Sequence, residues 1–394
     1  MNFLFFSHTY DNKEFVDVLI RKNKKLPGVA ISNYENGFIN AFYTNKENKI
    51  TFFNRPFYPF VAEENFNENE LSTFEQPIKL CSHKYQNSFS FREFKNNELL
   101  KDELLKTDIV VFSTYHDWRL FKHVKKINPS IKSILILPDL PNFIINKSSF
   151  KHRILRKFNS KMFFNACKYI DGLIPITDYM GEYMSKYIKS FITIEGVVKD
   201  DEKKMTRDKP NKTIVYTGGL AEKYGVMSLI RAFSKCDEAK DYELIICGKG
   251  ELENQIKEFS KDNKRIQYKG FVDRKEVLSL ITKASYLVVP ENPNNSYSKY
   301  SFHSKIIEYM CSGTPIIATY YDGMPKEYKT HILNLNLENN SLDDAILSGL
   351  QAYLKLPIDK NIEFGLKARS FILERLMPEQ VYKKINELIG EVNK

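Results

Sequence analysis

Residues 298–315 read Ser298-Lys299-Tyr300-Ser301-Phe302-His303-Ser304-Lys305-Ile306-Ile307-Glu308-Tyr309-Met310-Cys311-Ser312-Gly313-Thr314-Pro315. An apolar run at 286–290 precedes them across a loop rich in Asn and Ser. This pattern predicts a strand, a loop and then a helix that opens near Ser301 and closes at Gly313. Glycine tolerates the left-handed conformation at a helix end, and Pro315 cannot continue the helix. A helix start that follows a strand is an anion site, because its first N–H groups lack intrahelical acceptors and the macrodipole adds partial positive charge. Ser301, Phe302, Ser304 and Lys305 are therefore candidates to hold a diphosphate. Glu308 lies farther into the helix, and its carboxylate can accept two hydroxyl hydrogen bonds at once, which suits a vicinal diol such as a ribose.

Outward from this stretch, the second half alternates strand and helix patterns. Strands are predicted at 213–217, 242–247, 266–268, 286–289, 315–318 and 332–335, and helices at 226–235, 252–261, 274–283, 302–311 and 342–354. That alternation implies a doubly wound parallel sheet, which binds ligands outside the carboxyl ends of its strands. Gly218-Gly219 follows the first of these strands and lets a phosphate approach the backbone closely. Lys223, in the same loop, either pairs with that phosphate or is a solvated turn residue. Gly248-x-Gly250 resembles the start of a dinucleotide fingerprint, but Glu253 stands at the third glycine position, which argues against a nicotinamide enzyme.

The first half also alternates, less regularly. Strands are predicted at 3–6, 50–54, 109–112, 134–137 and 172–176, and helices at 96–106, 118–127 and 178–188. Asn36-Gly37 marks a turn before a short helix at 38–42. Polar residues at strand ends, His8, His116 and Asp139, are candidate site residues, since parallel sheets bind ligands at those ends; Asp139 is equally a turn residue before Pro141, and His116 a loop residue. Residues 147–168 form a basic helix whose apolar positions recur at helical spacing, fit either for an anionic membrane surface or for an ordinary solvated face. The charged stretch 199–212 reads as an interdomain linker.

With 394 residues, two domains are expected. Composition is that of a folded protein, 42% hydrophobic and 27% charged, and the formal charge of +10 favours anionic partners. The five cysteines are scattered without metal-ligand spacing, which fits buried thiols in a reducing compartment. The N-terminus lacks a signal-peptide pattern, and no apolar run approaches the roughly 20 residues that span a bilayer. Dispersed lysines and the lack of any nucleic-acid module argue against nucleic acid. A cytoplasmic protein, peripheral at the inner face of the plasma membrane through its basic helix, is the expectation.

The ordered motifs Tyr216-Thr-Gly-Gly-Leu220, Lys223-Tyr-Gly225, Cys247-Gly-Lys-Gly-Glu251, Gly270-Phe-Val-Asp273, Tyr300 to Ile316 and Gly323-Met-Pro-Lys-Glu-Tyr328 resemble family 4 retaining glycosyltransferases of the GT-B fold. They are most similar to the branch that builds bacterial capsular and exopolysaccharide units. The resemblance implies two Rossmann-like doubly wound domains facing an interdomain cleft: 1–198 binding the acceptor, 199–212 linking, 213–377 binding the nucleotide-sugar, and 378–394 a helix returning toward the first domain. It implies a UDP-linked donor, a glycan or lipid-linked acceptor and no metal; the sequence holds no Asp-x-Asp pair to grip one. By position, Gly218 and Gly219 bend around the diphosphate, Lys223 and Lys305 balance its charge, and the main chain of Phe271 and Val272 reads the base. Ser301 to Lys305 cradle the phosphates, Glu308 holds the ribose, and Asp139 faces the acceptor. Tyr300 stands where the family's pattern has the glutamate that faces the donor sugar, and Glu291 or Asn294 are alternatives for that contact. A catalytically weak partner subunit of another transferase and a sugar-nucleotide epimerase are the competing readings.

Overall fold

The computed structural model describes residues 1–7, 29–54, 98–141, 150–293 and 297–394. The chain divides into two compact units, Met1–Val197 together with Pro378–Lys394, and Val198–Met377.

The first unit contains β1 (Asn2–Ser7), α1 (Val29–Tyr43), β2 (Lys49–Asn54), α2 (Glu98–Lys106), β3 (Ile109–Phe112), α3 (Trp118–Ile127), β4 (Lys132–Leu137), α4 (Phe150–Ala166), β5 (Gly172–Pro175), α5 (Asp178–Met184) and β6 (Ser190–Phe191). Its six strands pair in parallel in the order β2-β1-β3-β4-β5-β6. All four residues of β3 are buried, because helices cover both faces of a parallel sheet and leave its strands as continuous apolar runs. In α3, Leu120, Phe121 and Val124 are buried while Lys125 and Lys126 sit in the last turn, facing the negative end of the helix dipole.

The turn predicted at Asn36-Gly37 is not formed, since α1 runs through it. A Cβ at Gly37 would lie 2.9 Å from the Val197 Cβ. The glycine serves close packing on 197 instead of chain reversal. The C-terminal helix Pro378–Val392 closes this unit. Its Tyr382 hydroxyl accepts from Asn48 Nδ2 at 2.9 Å, and the Val392 carbonyl accepts from Lys132 Nζ at 2.6 Å.

The second unit contains α6 (Asp200–Lys203), β7 (Thr213–Thr217), α7 (Val226–Lys235), β8 (Glu243–Cys247), α8 (Glu253–Asp262), β9 (Ile266–Gly270), α9 (Arg274–Lys283), β10 (Tyr286–Val289), α10 (Ser304–Ser312), β11 (Ile316–Ala318), β12 (Leu333–Asn334), α11 (Leu342–Tyr353) and α12 (Ile358–Leu376). Its parallel strands run in the order β12-β11-β10-β7-β8-β9. Strand order reverses between β7 and β10, which opens a crevice at their carboxyl ends.

Residues 199–212, read as a linker, are built into this unit. Asp208 N–H donates to the Thr282 carbonyl and Asn211 N–H to the Lys283 carbonyl, at 3.2 and 2.9 Å. Arg207 reaches Thr314 Oγ1 at 2.9 Å, and Glu202 is buried. The long helix α12 was not anticipated. Gly365 lets it press against the Gly313 carbonyl, where a Cβ would overlap.

Side-chain caps set several helix starts: Thr177 accepts from Met180 N–H, Asp273 from Glu276 N–H and Ser341 from Asp344 N–H, each worth about 1 kcal/mol. Cys167, Cys236, Cys247 and Cys311 are buried thiols, and Cys81 lies outside the described residues. No helix among the described residues is long and apolar enough to cross a membrane.

Candidate active site

The crevice at the reversal is lined first by backbone. Gly218 has φ +140° and Gly248 φ +142°. The loops that carry them lie side by side, with Gly218 N–H donating to the Cys247 carbonyl and Leu220 N–H to the Lys249 carbonyl, both at 3.0 Å. A Cβ on Gly248 would overlap the Gly218 carbonyl oxygen, and one on Gly250 the Leu220 carbonyl. Gly248-x-Gly250 is thus a packing requirement of the neighbouring glycine loop, not a second fingerprint.

Lys305, in the first turn of α10, points into the crevice. Its ammonium donates to the Thr217 carbonyl at 2.9 Å and lies 4.5 Å from the centre of the Tyr216 ring. A Cβ on Gly218 would come within 2.5 Å of that nitrogen, and the Gly218 φ of +140° favours glycine in any case. Tyr216 in turn donates to the Gly219 carbonyl at 2.8 Å, and Tyr309 Oη accepts from Thr217 N–H at 2.9 Å. Burial pushes the Lys305 ammonium down to about 8, against the opposing pull of Glu291 and Glu308.

The helix start differs from expectation. Ser298–Tyr300 forms a 3-10 turn, and α10 begins only at Ser304 with His303 as its cap residue. Gly323 explains the offset: its flat face is pressed against the carbonyls of Ser298 and Ser301, where a Cβ would overlap both. Ser301 therefore bonds back to the Ser298 carbonyl at 3.2 Å. Phe302 turns into the core, edge-on to Tyr328 at 5.4 Å. Of the residues expected to cradle phosphate, Ser304 and Lys305 occupy the first helical turn and Ser301 and Phe302 precede it. Half-buried Tyr300 ends the 3-10 turn.

Glu291, 7% exposed just past β10, brings its Oε2 to 2.5 Å from His303 Nε2. The His303 partnership was invisible in sequence because the two residues lie twelve positions apart across a loop. Asn294 lies outside the described residues. Lys223 is exposed in the turn Glu222–Tyr224, its ammonium 4.7 Å from the centre of the Tyr224 ring. Burial would lower Lys223, but its hydrogen bond to Tyr224 and the charges nearby raise it overall. Phe271 is 73% exposed, with Lys249 Nζ 5.3 Å from its ring centre, and Val272 beside it is half-buried. Glu308 is held by Arg274 NH1.

In the first unit, Asp139 follows β4 and Tyr34 stands on α1, its hydroxyl donating to the Ile194 carbonyl at 3.3 Å. Desolvation by the surrounding protein pushes the Asp139 carboxyl up to about 6. One side of the residue stays open to water, and screening moderates that rise. Tyr34 itself is raised by burial and then by the charges of Glu195 and Asp139. Sequence reasoning missed that Tyr34 lies near enough to feel the charges of both Asp139 and buried Glu195, since the three come from distant segments. His116 is exposed in the turn Tyr115–Asp117; His8 lies outside the described residues.

Residues 197–371 match the family model described as Glycosyl transferases group 1. An uncharacterized glycosyltransferase of Methanocaldococcus jannaschii is 26% identical over 318 residues, 68% of this chain and 78% of that one. The chain is a glycosyltransferase of the GT-B fold. Solved structures similar to this glycosyltransferase over nearly its whole length include Anabaena HepE in complex with UDP and glucose (TM-score 0.62, 12% identity, 99% of this chain and 100% of that one). The lipopolysaccharide outer core galactosyltransferase WaaB superposes with TM-score 0.59 at 14% identity over 99% of each chain. Sucrose-phosphate synthase from Thermosynechococcus elongatus gives 0.64 at 12% identity over 100% of this chain and 98% of its own.

Proposed function

We propose that the protein is a retaining glycosyltransferase that moves a sugar from a nucleoside diphosphate-sugar, UDP-linked, to a glycan or lipid-linked acceptor of cell-surface polysaccharide. The observation that carries this reading is the fit of Lys305 against Gly218 at the strand-order reversal, beside the start of α10. A cation, a flat glycine backbone and a helix N-terminus converge there, and together they suit a diphosphate.

The diphosphate then lies along Gly218-Gly219 and the Ser304-Lys305 turn, the ribose diol meets Glu308, and the base lies beside Phe271 and Val272. Charge that builds on the departing diphosphate is met by Lys305 and the helix dipole, with Lys223 at the outer edge, so no metal ion is required. Retention follows if the acceptor hydroxyl attacks on the face that the diphosphate leaves, the new glycosidic bond forming as the bond to the diphosphate breaks and the hydroxyl proton passing to an acceptor-side base. Asp139, with a raised carboxyl, is the acceptor-side base or anchor. Tyr300 and Glu291 read sugar hydroxyls in this reading. That HepE is solved with UDP and glucose supports the donor class.

Incubation with a panel of UDP- and GDP-sugars, reading free nucleoside diphosphate, tests the reading, with Glu308→Ala as control. Release that depends on Glu308 is expected. Tight nucleotide binding with no release from any donor and acceptor overturns it in favour of a partner subunit that supports another transferase.

The basic helix supports a peripheral site at the inner face of the plasma membrane. On α4, Ile154 and Phe158 are exposed one turn apart, next to exposed Lys157 and Lys161. Vesicles containing anionic lipid should sediment the protein at low salt and release it at high salt. Equal sedimentation with neutral vesicles, or none with either, overturns this.

A further inference from the structure

Arg274 joins three carboxylates that come from two separate parts of the chain, α6 and α10. Its Nε donates to Asp201 Oδ2 at 2.8 Å, NH2 to Glu202 Oε1 at 3.1 Å, and NH1 to Glu308 Oε2. Glu202 is anchored in its own right: its Oε2 accepts from Lys199 N–H at 3.0 Å, and its side chain is only 3% exposed. The Glu308 side chain is 15% exposed and that of Arg274 is 39% exposed, so the guanidinium lies between a fixed acidic anchor and a carboxylate at the crevice. Arg274 opens α9, directly after Asp273 caps that helix, and so sits on a rigid element.

We infer that Arg274 is the positioning residue for the ribose-binding carboxylate; this rests on the ribose role proposed for Glu308. A carboxylate on a flexible side chain can swing through several rotamers, and a guanidinium fork restricts it because its donors lie in one plane at fixed angles. With Oε2 held by NH1, Oε1 of Glu308 makes no hydrogen bond or ion pair among the described residues. One free oxygen and the remaining lone pair of the other are what a vicinal diol needs. Arg274 also offsets the mutual repulsion of the three carboxylates it joins. Burial would lower the arginine, but Asp201 and Glu308 raise it overall, and it stays charged at all working pH. A lysine cannot take its place, since one ammonium cannot span three acceptors in a fixed plane.

The test compares binding of UDP with binding of 2′,3′-dideoxy-UDP by calorimetry in the full chain, for the native protein, Arg274→Lys, Arg274→Met and Glu308→Gln. Thermal unfolding checks that each variant is folded. The native protein should prefer UDP by about tenfold or more, as hydrogen bonds to a charged group allow. Arg274→Lys should lose most of that preference, leaving a ratio below about threefold, while its affinity for the dideoxy nucleotide stays within about twofold. Glu308→Gln should also lose the preference, and combining it with Arg274→Lys should add little, because both act on one contact. An unchanged ratio in folded Arg274→Lys overturns the inference, as does an equal loss for both nucleotides, which marks a merely structural role. If Glu308→Gln leaves the native ratio intact, the ribose role itself falls; if neither UDP nor GDP binds, the nucleotide reading falls.

Discussion

The carboxyl edges of the two sheets are built on opposite plans. In the second unit the edge is backbone: glycines at φ +140° and +142° interlock, and one lysine is threaded between a glycine, a tyrosine ring and a carbonyl. In the first unit the described edge offers side chains, Asp139 and His116, both exposed. Backbone cradles suit a ligand part common to many substrates, the diphosphate, whereas side chains on loops suit the part that varies, the acceptor. On the proposed reading, changes at the second edge should act through stability and those at the first through turnover.

Four outcomes would break or sharpen that contrast. The largest concerns Asp139→Asn, which should lower transfer by about 100-fold, within the range for a positioned acid or base, and leave nucleotide affinity and thermal stability unchanged. Because its carboxyl is raised to about 6, the native transfer rate should fall as pH drops through that value and the variant should lose this limb. An unfolding midpoint that falls with the activity would erase the distinction between the two edges.

Next is Gly248→Ala, where the new Cβ meets the Gly218 carbonyl in a left-handed backbone. Strain of this kind costs about 2–3 kcal/mol, so a clear loss of thermal stability should accompany weaker nucleotide binding. Normal stability would mean that the glycine loops are not interlocked.

Lys305→Met should weaken nucleoside diphosphate binding by about tenfold, the usual worth of one charged hydrogen bond. Its pH dependence has a definite sign. The amine lies at about 8 instead of 10.5, so it is protonated below about 8 and neutral above. Affinity should fall as pH rises through about 8 in the native protein, and this bend should vanish in the variant. Between about 8 and 10.5 the unfolded chain binds more protons than the folded one, so stability should rise with pH across that window.

The smallest effect is expected from Asp201→Asn. Arg274 keeps Glu202 and Glu308, and a partly exposed ion pair contributes little, so nucleotide affinity should change by less than about threefold. A larger change would make Asp201 a partner in holding the ribose carboxylate.

Legibility in the sequence followed burial. Thr213–Thr217, Tyr286–Val289, Val226–Lys235 and Arg274–Lys283 match their predicted bounds, because strands covered on both faces and helices with one apolar stripe carry their environment in their residue pattern. The reading failed where a distant residue decided the local outcome. Asn36-Gly37 looks like a turn until Val197 is packed on it, and Ser301 looks like a helix start until Gly323 is pressed beneath the preceding turn. The stretch 199–212 has a linker's composition, yet Arg207, Asp208 and Asn211 hold it to the Thr282–Lys283 backbone and to Thr314.

The same division holds for the site. The sequence by itself determined that a glycine loop and a lysine-bearing helix would meet at the carboxyl edge of a parallel sheet, because strand-helix order and glycine spacing are local properties and parallel connections have one hand. Only the tertiary structure decided that Lys305 would sit against Gly218, that Glu291 would pair with His303, and that Arg274 would tie Glu308 to Asp201 and Glu202. Those contacts join residues up to 107 positions apart, and side chains that far apart find one another through the packing of whole elements, which no local pattern encodes.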